Sequence, residues 1–290
     1  MVLLIDSIVK YSNKGNKERV SMSKHYGQCA LCGAECDLSF EHIPPQAAFN
    51  RSPAKPVSGD DVIFDDERMP WEMEGLPYIN LQRGMGMYSL CQSCNNNTGS
   101  WYAEEYILMA HAVHQFISNP IEPDVNAIGI KEMHPARFIK QVLSMFCSIN
   151  GFDSPKLAPI RKFVSNKKDI GLDKSKYKLC MYFTKSNLMK YNPFSVVLKM
   201  GEHKSEMMAL SEIVAYPLGF VLYFDPDDAW QYEGFDISSL ADYAYDDIAT
   251  VEMPLQIKEM NDILPTYYRS KEEVKQCIEE NQRWRLENGV

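Results

Sequence analysis

The 290-residue chain lacks any apolar run long enough to span a membrane. Its most apolar stretch, Ile213 to Phe224, is interrupted by Tyr216, Pro217 and Gly219, and a spanning helix needs about 20 apolar residues. At the start, Val2 to Ile5 is a short apolar run broken by Asp6, shorter than the core of an export signal. Eight cysteines are too few for a secreted disulfide scaffold of this size, so a reducing, cytoplasmic compartment is expected. In such a compartment, paired cysteines point to metal before disulfide. No internal repeat or low-complexity tract is present, which excludes fibrous and solenoid architectures.

An excess of basic charge is also missing. Thirty Lys and Arg against 39 Asp and Glu leave a formal charge of −9, so the chain cannot coat nucleic acid by bulk attraction. The charge is uneven: −7 over residues 1–130, +9 over 131–190 and −11 over 191–290. The middle segment, with Arg137, Lys140, Arg161, Lys162, Lys167, Lys168, Lys174, Lys176, Lys178 and Lys185, has two readings. Either it forms a local surface facing phosphates, or it pairs with the acidic final third of the same chain.

What is present is an ordinary globular composition, 45% hydrophobic and 11% aromatic, long enough for two domains. Residues 1–24 read as a polar lead-in, with Met22 as an alternative start. Residues 25–118 are rich in Cys, Gly, Pro and Asn up to Thr98, with Asn50 to Pro70 as a long excursion between two short strands. After Thr98 a helix is expected, with Trp101, Leu108, Met109, Ala112, Val113 and Phe116 on its apolar face. A second helix is expected from Pro135 to Asn150, opened by the proline and closed by Gly151. Beyond residue 175 the period becomes that of strands, over Leu179–Thr184, Ser195–Met200, Ile213–Phe224 and Ile248–Met253. Ser270 and Glu273 form a capping box for a final helix through Cys277 and Trp284. The fold class is therefore α+β, with a small N-terminal domain and a larger C-terminal domain, 119–290, of unknown fold.

The strongest chemical signal is two Cys-x-x-Cys pairs, Cys29-Ala-Leu-Cys32 and Cys91-Gln-Ser-Cys94. Each pair offers two thiolates from a tight turn, and together they complete a closed tetrahedral zinc site. Such a site contributes about 10–16 kcal/mol of apparent binding free energy in small peptides, enough to hold a loop-rich region with little core. Cys36, Cys147, Cys180 and Cys277 lack paired spacing, and Cys36 is the rival fourth ligand.

Between the pairs runs Leu38-Ser39-Phe40-Glu41-His42-Ile43-Pro44-Pro45, and Asn95, Asn96 and Asn97 follow the last cysteine. In this order the chain, over roughly Gln28 to Phe116, resembles the zinc-containing HNH (His-Me finger, ββα-metal) endonucleases, most closely the four-Cys branch that includes phage endonuclease VII. The resemblance implies a zinc-bound ββα-metal domain whose zinc is structural. It implies His42 as general base, and Glu41 and Asn95 as oxygen ligands of a catalytic Mg or Mn ion. Arg83 becomes a candidate for steadying the scissile phosphate. The activity implied is metal-dependent hydrolysis of DNA phosphodiester bonds, with RNA as the alternative substrate, in a restriction or antiphage-defence setting. The C-terminal domain would then serve a homo-oligomer or a partner protein. The stretch Arg83 to Leu90 lacks the Asn with which many members brace the His-bearing loop, and its glycine-rich turn is the expected substitute. A rival reading keeps the zinc fold as a nucleic-acid- or protein-binding module without activity. His111 and His114, three apart on the first helix, and the acidic stretch Asp60 to Glu67 are weaker metal candidates. Trp101 and Tyr102 are expected in the core rather than stacked on bases.

Overall fold

A computed structural model describes residues 25–63, 69–121, 124–200, 205–261 and 263–289. The lead-in 1–24 and the acidic residues Asp65, Asp66 and Glu67 lie outside them. The chain begins with a three-stranded antiparallel sheet in the order β1 (Tyr26–Gln28), β2 (Glu35–His42), β3 (Gly86–Cys91), and a short helix, α1 (Gly59–Ile63), lies in the excursion between β2 and β3. Cys91 ends β3 and is at once the N-cap of the long helix α2 (Gln92–Ile117). A strand β4 (Ala127–Met133) then leads into α3 (Pro135–Asn150) and the short α4 (Ala158–Ser165).

The second half is a sheet built on β5 (Tyr177–Thr184), β6 (Lys190–Met200), β7 (Ser205–Ala215) and β8 (Leu218–Phe224). These strands pair antiparallel in the order β5-β8-β7-β6, so β6 is an edge. The short β9 (Phe235–Asp236) pairs with β5, β10 (Ala249–Pro254) returns to pair with β4, and β11 (Ile257–Lys258) runs parallel to β5. The exposed helix α5 (Lys271–Asn288) closes the chain with Ser270 and Glu273 exchanging capping bonds. The architecture is mixed, sheets and helices together, as the α+β reading expects.

The helix α3 explains how the parts are joined. Pro135 suits a first turn because its missing N–H is unneeded there, and Gly151, at φ 71°, ends the helix where a Cβ would be strained. Almost every side chain between is buried, among them Phe138, Ile139, Val142, Leu143, Phe146 and Ile149. Lys140, Gln141, Ser144 and Ser148 are buried with them, so the helix is enclosed on nearly every side. One apolar core accordingly runs from Cys29 through α2 and α3 to Met253. The chain passes from α2 to β4 close to the expected boundary at 118/119, but the core continues across it.

Two expectations need correction. The buried face of α2 is Tyr102, Tyr106, Met109, Ala110, Val113 and Ile117, while Leu108 is exposed. The two tyrosines turn the helix by about one residue, because a large ring with a bonded hydroxyl buries well: Tyr102 Oη donates to the Val164 carbonyl at 2.8 Å. The apolar run Ile213 to Phe224 is not one strand but the hairpin of β7 and β8, turning at Tyr216-Pro217.

Candidate metal centre and the histidine hairpin

Four thiols converge where β1 ends and α2 begins. The Sγ atoms of Cys29, Cys32, Cys91 and Cys94 all lie within 4.8 Å of one another, with Cys32 and Cys91 at 3.9 Å. The first knuckle is shaped by its backbone: the Gly33 N–H donates to the Cys29 carbonyl, and Gly33 sits at φ 76°. A Cβ there would also come within 2.5 Å of the Phe152 ring, so both conformation and contact require glycine. The second knuckle uses the helix start. The Cys91 N–H donates to Cys29 Sγ at 3.2 Å, and the Cys94 N–H to Cys91 Sγ at 3.4 Å. Amide donors aimed at sulfur favour thiolate. The Cys94 thiol hydrogen-bonded to Cys29 pulls the latter's pKa down to about 4, and that bond in turn pushes Cys94 up.

A tetrahedral zinc with Zn–S bonds of about 2.3 Å needs sulfurs roughly 3.8 Å apart. The spacing fits, and four soft thiolate donors could hold a metal such as zinc. Cys36 is outside the cluster, its thiol turned to the Ala34 carbonyl at 3.6 Å. Cys147 and Cys180 are core residues whose thiols burial pushes up to about 12.

His42 ends β2, opposite Gly86 on β3. Its Nε2 lies 3.0 Å from the Arg83 carbonyl, which also accepts from Gln46 Nε2 at 3.1 Å. A carbonyl can only accept, so Nε2 carries the proton and Nδ1 keeps its lone pair. Burial lowers the His42 pKa, and the neighbouring Arg83 guanidinium adds to that, so the ring is neutral near pH 7. Arg83 itself is exposed.

The loop after His42 is braced by Asn50, a residue that sequence reasoning missed. Asn50 is 2% exposed; its Nδ2 donates to the Pro44 and Met85 carbonyls at 2.7 and 2.8 Å, and its Oδ1 accepts from Met85 N–H at 2.7 Å. The absent Asn before the second Cys pair is thus replaced from the other side, by an Asn on the His-bearing loop. Gly84 lets the strands close on it: a Cβ there would meet the Asn50 carbonyl at 2.0 Å. An Asn eight residues beyond the histidine, after the Pro-Pro turn, was the available signal.

Each of the expected oxygen ligands has hydrogen-bond partners within the protein. Asn95, in the first turn of α2, donates from Nδ2 to Ser39 Oγ at 3.0 Å and to the Phe40 carbonyl at 3.1 Å. Its Oδ1 has no bond among the described residues. Successive strand residues face opposite sides, so with His42 and Phe40 outward Glu41 is turned inward, 5% exposed. There its Oε2 accepts from Ser89 Oγ at 3.3 Å and from Ser148 Oγ on α3. Burial pushes this carboxyl up to about 7.

The two histidines of α2 have structural partners instead of a metal. His111 Nε2 meets the Ala47 carbonyl and His114 Nδ1 the Tyr216 hydroxyl, with Phe49 packed on both rings, so they do not pinch an ion. The basic segment is largely spoken for: Arg137 pairs with Asp246, Lys174 with Asp242 and Lys176 with Asp173. Lys140 is buried against the Phe163 and Asn166 carbonyls, and Lys178 lies over the Tyr232 ring. Three of these cations thus pair with acids, two of the acids from the final third, while Lys162, Lys168 and Lys185 are exposed.

Comparison with family models, curated proteins and solved structures finds no match. Among the described residues, no helix is long and apolar enough to cross a membrane.

Proposed function

We propose that residues 25–117 are a zinc-held ββα-metal nuclease module of the HNH kind, hydrolysing phosphodiester bonds of DNA. The observation that carries this reading is His42: its Nε2–H is fixed on the Arg83 carbonyl, leaving Nδ1 as a base at the end of β2 and beside an exposed guanidinium. In this reading Nδ1 takes a proton from water, the water oxygen bonds to phosphorus, the bond to the 3′ oxygen breaks, and Arg83 steadies the phosphate charge. The zinc does no chemistry; it ties the start of the hairpin to the start of α2. A catalytic Mg or Mn held by Glu41 and Asn95 would add charge stabilisation at the phosphate and the leaving oxygen. Residues 119–290 would then serve assembly, with a second copy or a partner protein.

The inward Glu41 favours a second reading, a zinc-stabilised binding module that has the fold without the activity. Plasmid cleavage by wild type and His42→Ala, with Mg or Mn added and zinc content measured, separates the two. The nuclease reading expects wild type to cut and the variant, zinc retained, to lose most of its activity. Wild type that holds zinc and cuts with neither metal selects the binding module.

A further inference from the structure

A cavity of about 680 Å³ lies where the excursion between β2 and β3 meets the start of β6. Sites that enclose small molecules measure roughly 300–1,000 Å³ and gather at such seams. Both halves of the chain build its walls: Phe49, Asn50 and Met85 from the His42 side, and Lys190, Tyr191 and Tyr216 from the sheet of β5 to β8. Phe49 holds a left-handed backbone, φ 61°, rare for a bulky residue, and its ring packs on His111 and His114 at 4.7 and 4.6 Å, so this wall is already set. Charge distinguishes the cavity. In a chain of formal charge −9, the charged residues on its walls are Lys55 and Lys190, with no acid among the described ones. Lys190 is 6% exposed, and its Nζ lies 2.9 Å from both the Leu264 carbonyl and Glu212 Oε2. An ammonium has three N–H groups, and the third has no partner among the described residues. The buried Glu212 also accepts from Tyr182, Tyr268 and Asn192, so its charge is not spent on Lys190 alone. Lys55 is exposed, its Nζ 4.6 Å over the Tyr78 ring.

From these walls we infer that the cavity is a binding site for a small aromatic monoanion. Phe49, Tyr191 and Tyr216 supply apolar, aromatic surface for its ring, and Lys190, with Lys55, takes its anionic oxygens. A neutral occupant would leave the third N–H of a buried cation unsatisfied, which is costly. A polyanion would need more cations than two, one of them already shared with Glu212. The occupant also meets the His42 loop at two points. Asn50 bonds to Pro44 and Met85, and Tyr191 Oη donates to the Ile43 carbonyl. Filling the cavity therefore steadies the loop that presents His42. This binding goes beyond the nuclease reading and does not depend on it.

Two probes test it on the zinc-loaded full chain: anilinonaphthalene sulfonate, a fluorescent aromatic monoanion, and phenylnaphthylamine, the same rings without the sulfonate. By fluorescence titration the sulfonate should saturate at one per chain and bind about tenfold more tightly than the neutral analogue. Lys55→Gln should weaken the sulfonate by about threefold, as loss of an exposed charge does, and leave the analogue unchanged. Lys190→Gln combined with Glu212→Gln removes both charges of the buried pair and should bring the sulfonate down to the affinity of the analogue. Ala54→Trp, which fills the cavity from its wall, should abolish binding of both probes, and decides the matter if the double variant does not fold. In wild type, saturating sulfonate should slow hydrogen exchange at the Met85 N–H, which is bonded to Asn50. Equal affinity for the two probes, no saturable site, or sulfonate binding unchanged in Ala54→Trp would overturn the inference. The site and the nuclease fail separately. Wild type that binds the sulfonate in this way and cuts no plasmid keeps the site and removes the nuclease; cleavage that depends on His42 with no saturable sulfonate binding does the reverse.

Discussion

Two regions of this molecule are held by different means. From β5 to β8 the chain is fixed by packing: every side chain of β8 is buried, and all but one of β5. From β1 to the start of α2 the strands are short and half-open, and position is fixed by sulfur, amides and glycines. The difference matters for chemistry. A packed sheet tolerates little change of volume, but its residues are inaccessible. A hairpin held by a thiol cluster and Asn50 leaves His42, Arg83 and Tyr88 at the surface while still fixing their backbone. The regions meet along α3 and β6, through Ser148 to Glu41, Tyr191 to the Ile43 carbonyl, and Phe152 against Gly33.

The largest effect should come from breaking the thiol cluster. Cys91→Ala removes a sulfur and the side-chain N-cap of α2 together, and chelation removes a bound metal from all four thiols. If the metal contributes near the roughly 10–16 kcal/mol seen in small zinc peptides, hydrogen exchange in β1–β3 should become fast while β5, β7 and β8 stay protected. Simultaneous loss of protection in both regions would break the contrast, making α3 the spine of one cooperative unit.

A smaller, more local effect is expected from Asn50→Ala. Three buried bonds disappear; the Pro44 carbonyl and the Met85 N–H lose the Asn50 partner, while the Met85 carbonyl keeps the Ile43 N–H, at a cost of about 1–3 kcal/mol for each group left unsatisfied. Zinc content should not change, because no cysteine touches Asn50's partners, but any cleavage should fall with the loss of His42's fixed geometry. An Asn50→Ala variant as stable as wild type to urea would show that packing, not this brace, holds the loop.

How much of this was legible in the sequence varies with the physics. The helix α3 could be read to the residue because Pro135 and Gly151 are local punctuation, each with its own backbone reason. The four thiols could be paired because a metal demands a fixed donor set. The face of α2 was misplaced by about one residue, since Tyr102 and Tyr106 count as apolar only when Val164 supplies a bond for one hydroxyl. Asn50 was missed because a brace is a tertiary event with no period. Glu41 is the instructive case, because strand alternation sets its carboxyl on the face opposite His42, where it meets Ser89 and Ser148.

Glu41 also yields the subtlest prediction, at the seam of the two regions. Burial raises its carboxyl from an ordinary 4.5 to about 7, and unfolding returns it to the ordinary value. Between those values the folded chain binds the proton more tightly than the unfolded one. The contribution of Glu41 to stability is therefore greatest below about pH 4.5, is lost as pH rises through about 7, and is flat above. Glu41→Gln preserves an acceptor for Ser89 and Ser148 and removes the titration. Measured from about pH 5 to pH 8, the midpoint of thermal unfolding of the variant should gain on wild type as pH rises, with zinc retained in both. A parallel pair of curves would mean the carboxylate is solvated or compensated. If added Mg raised the wild-type midpoint at pH 8 and not that of the variant, Glu41 would be meeting a cation in place of Ser89 and Ser148.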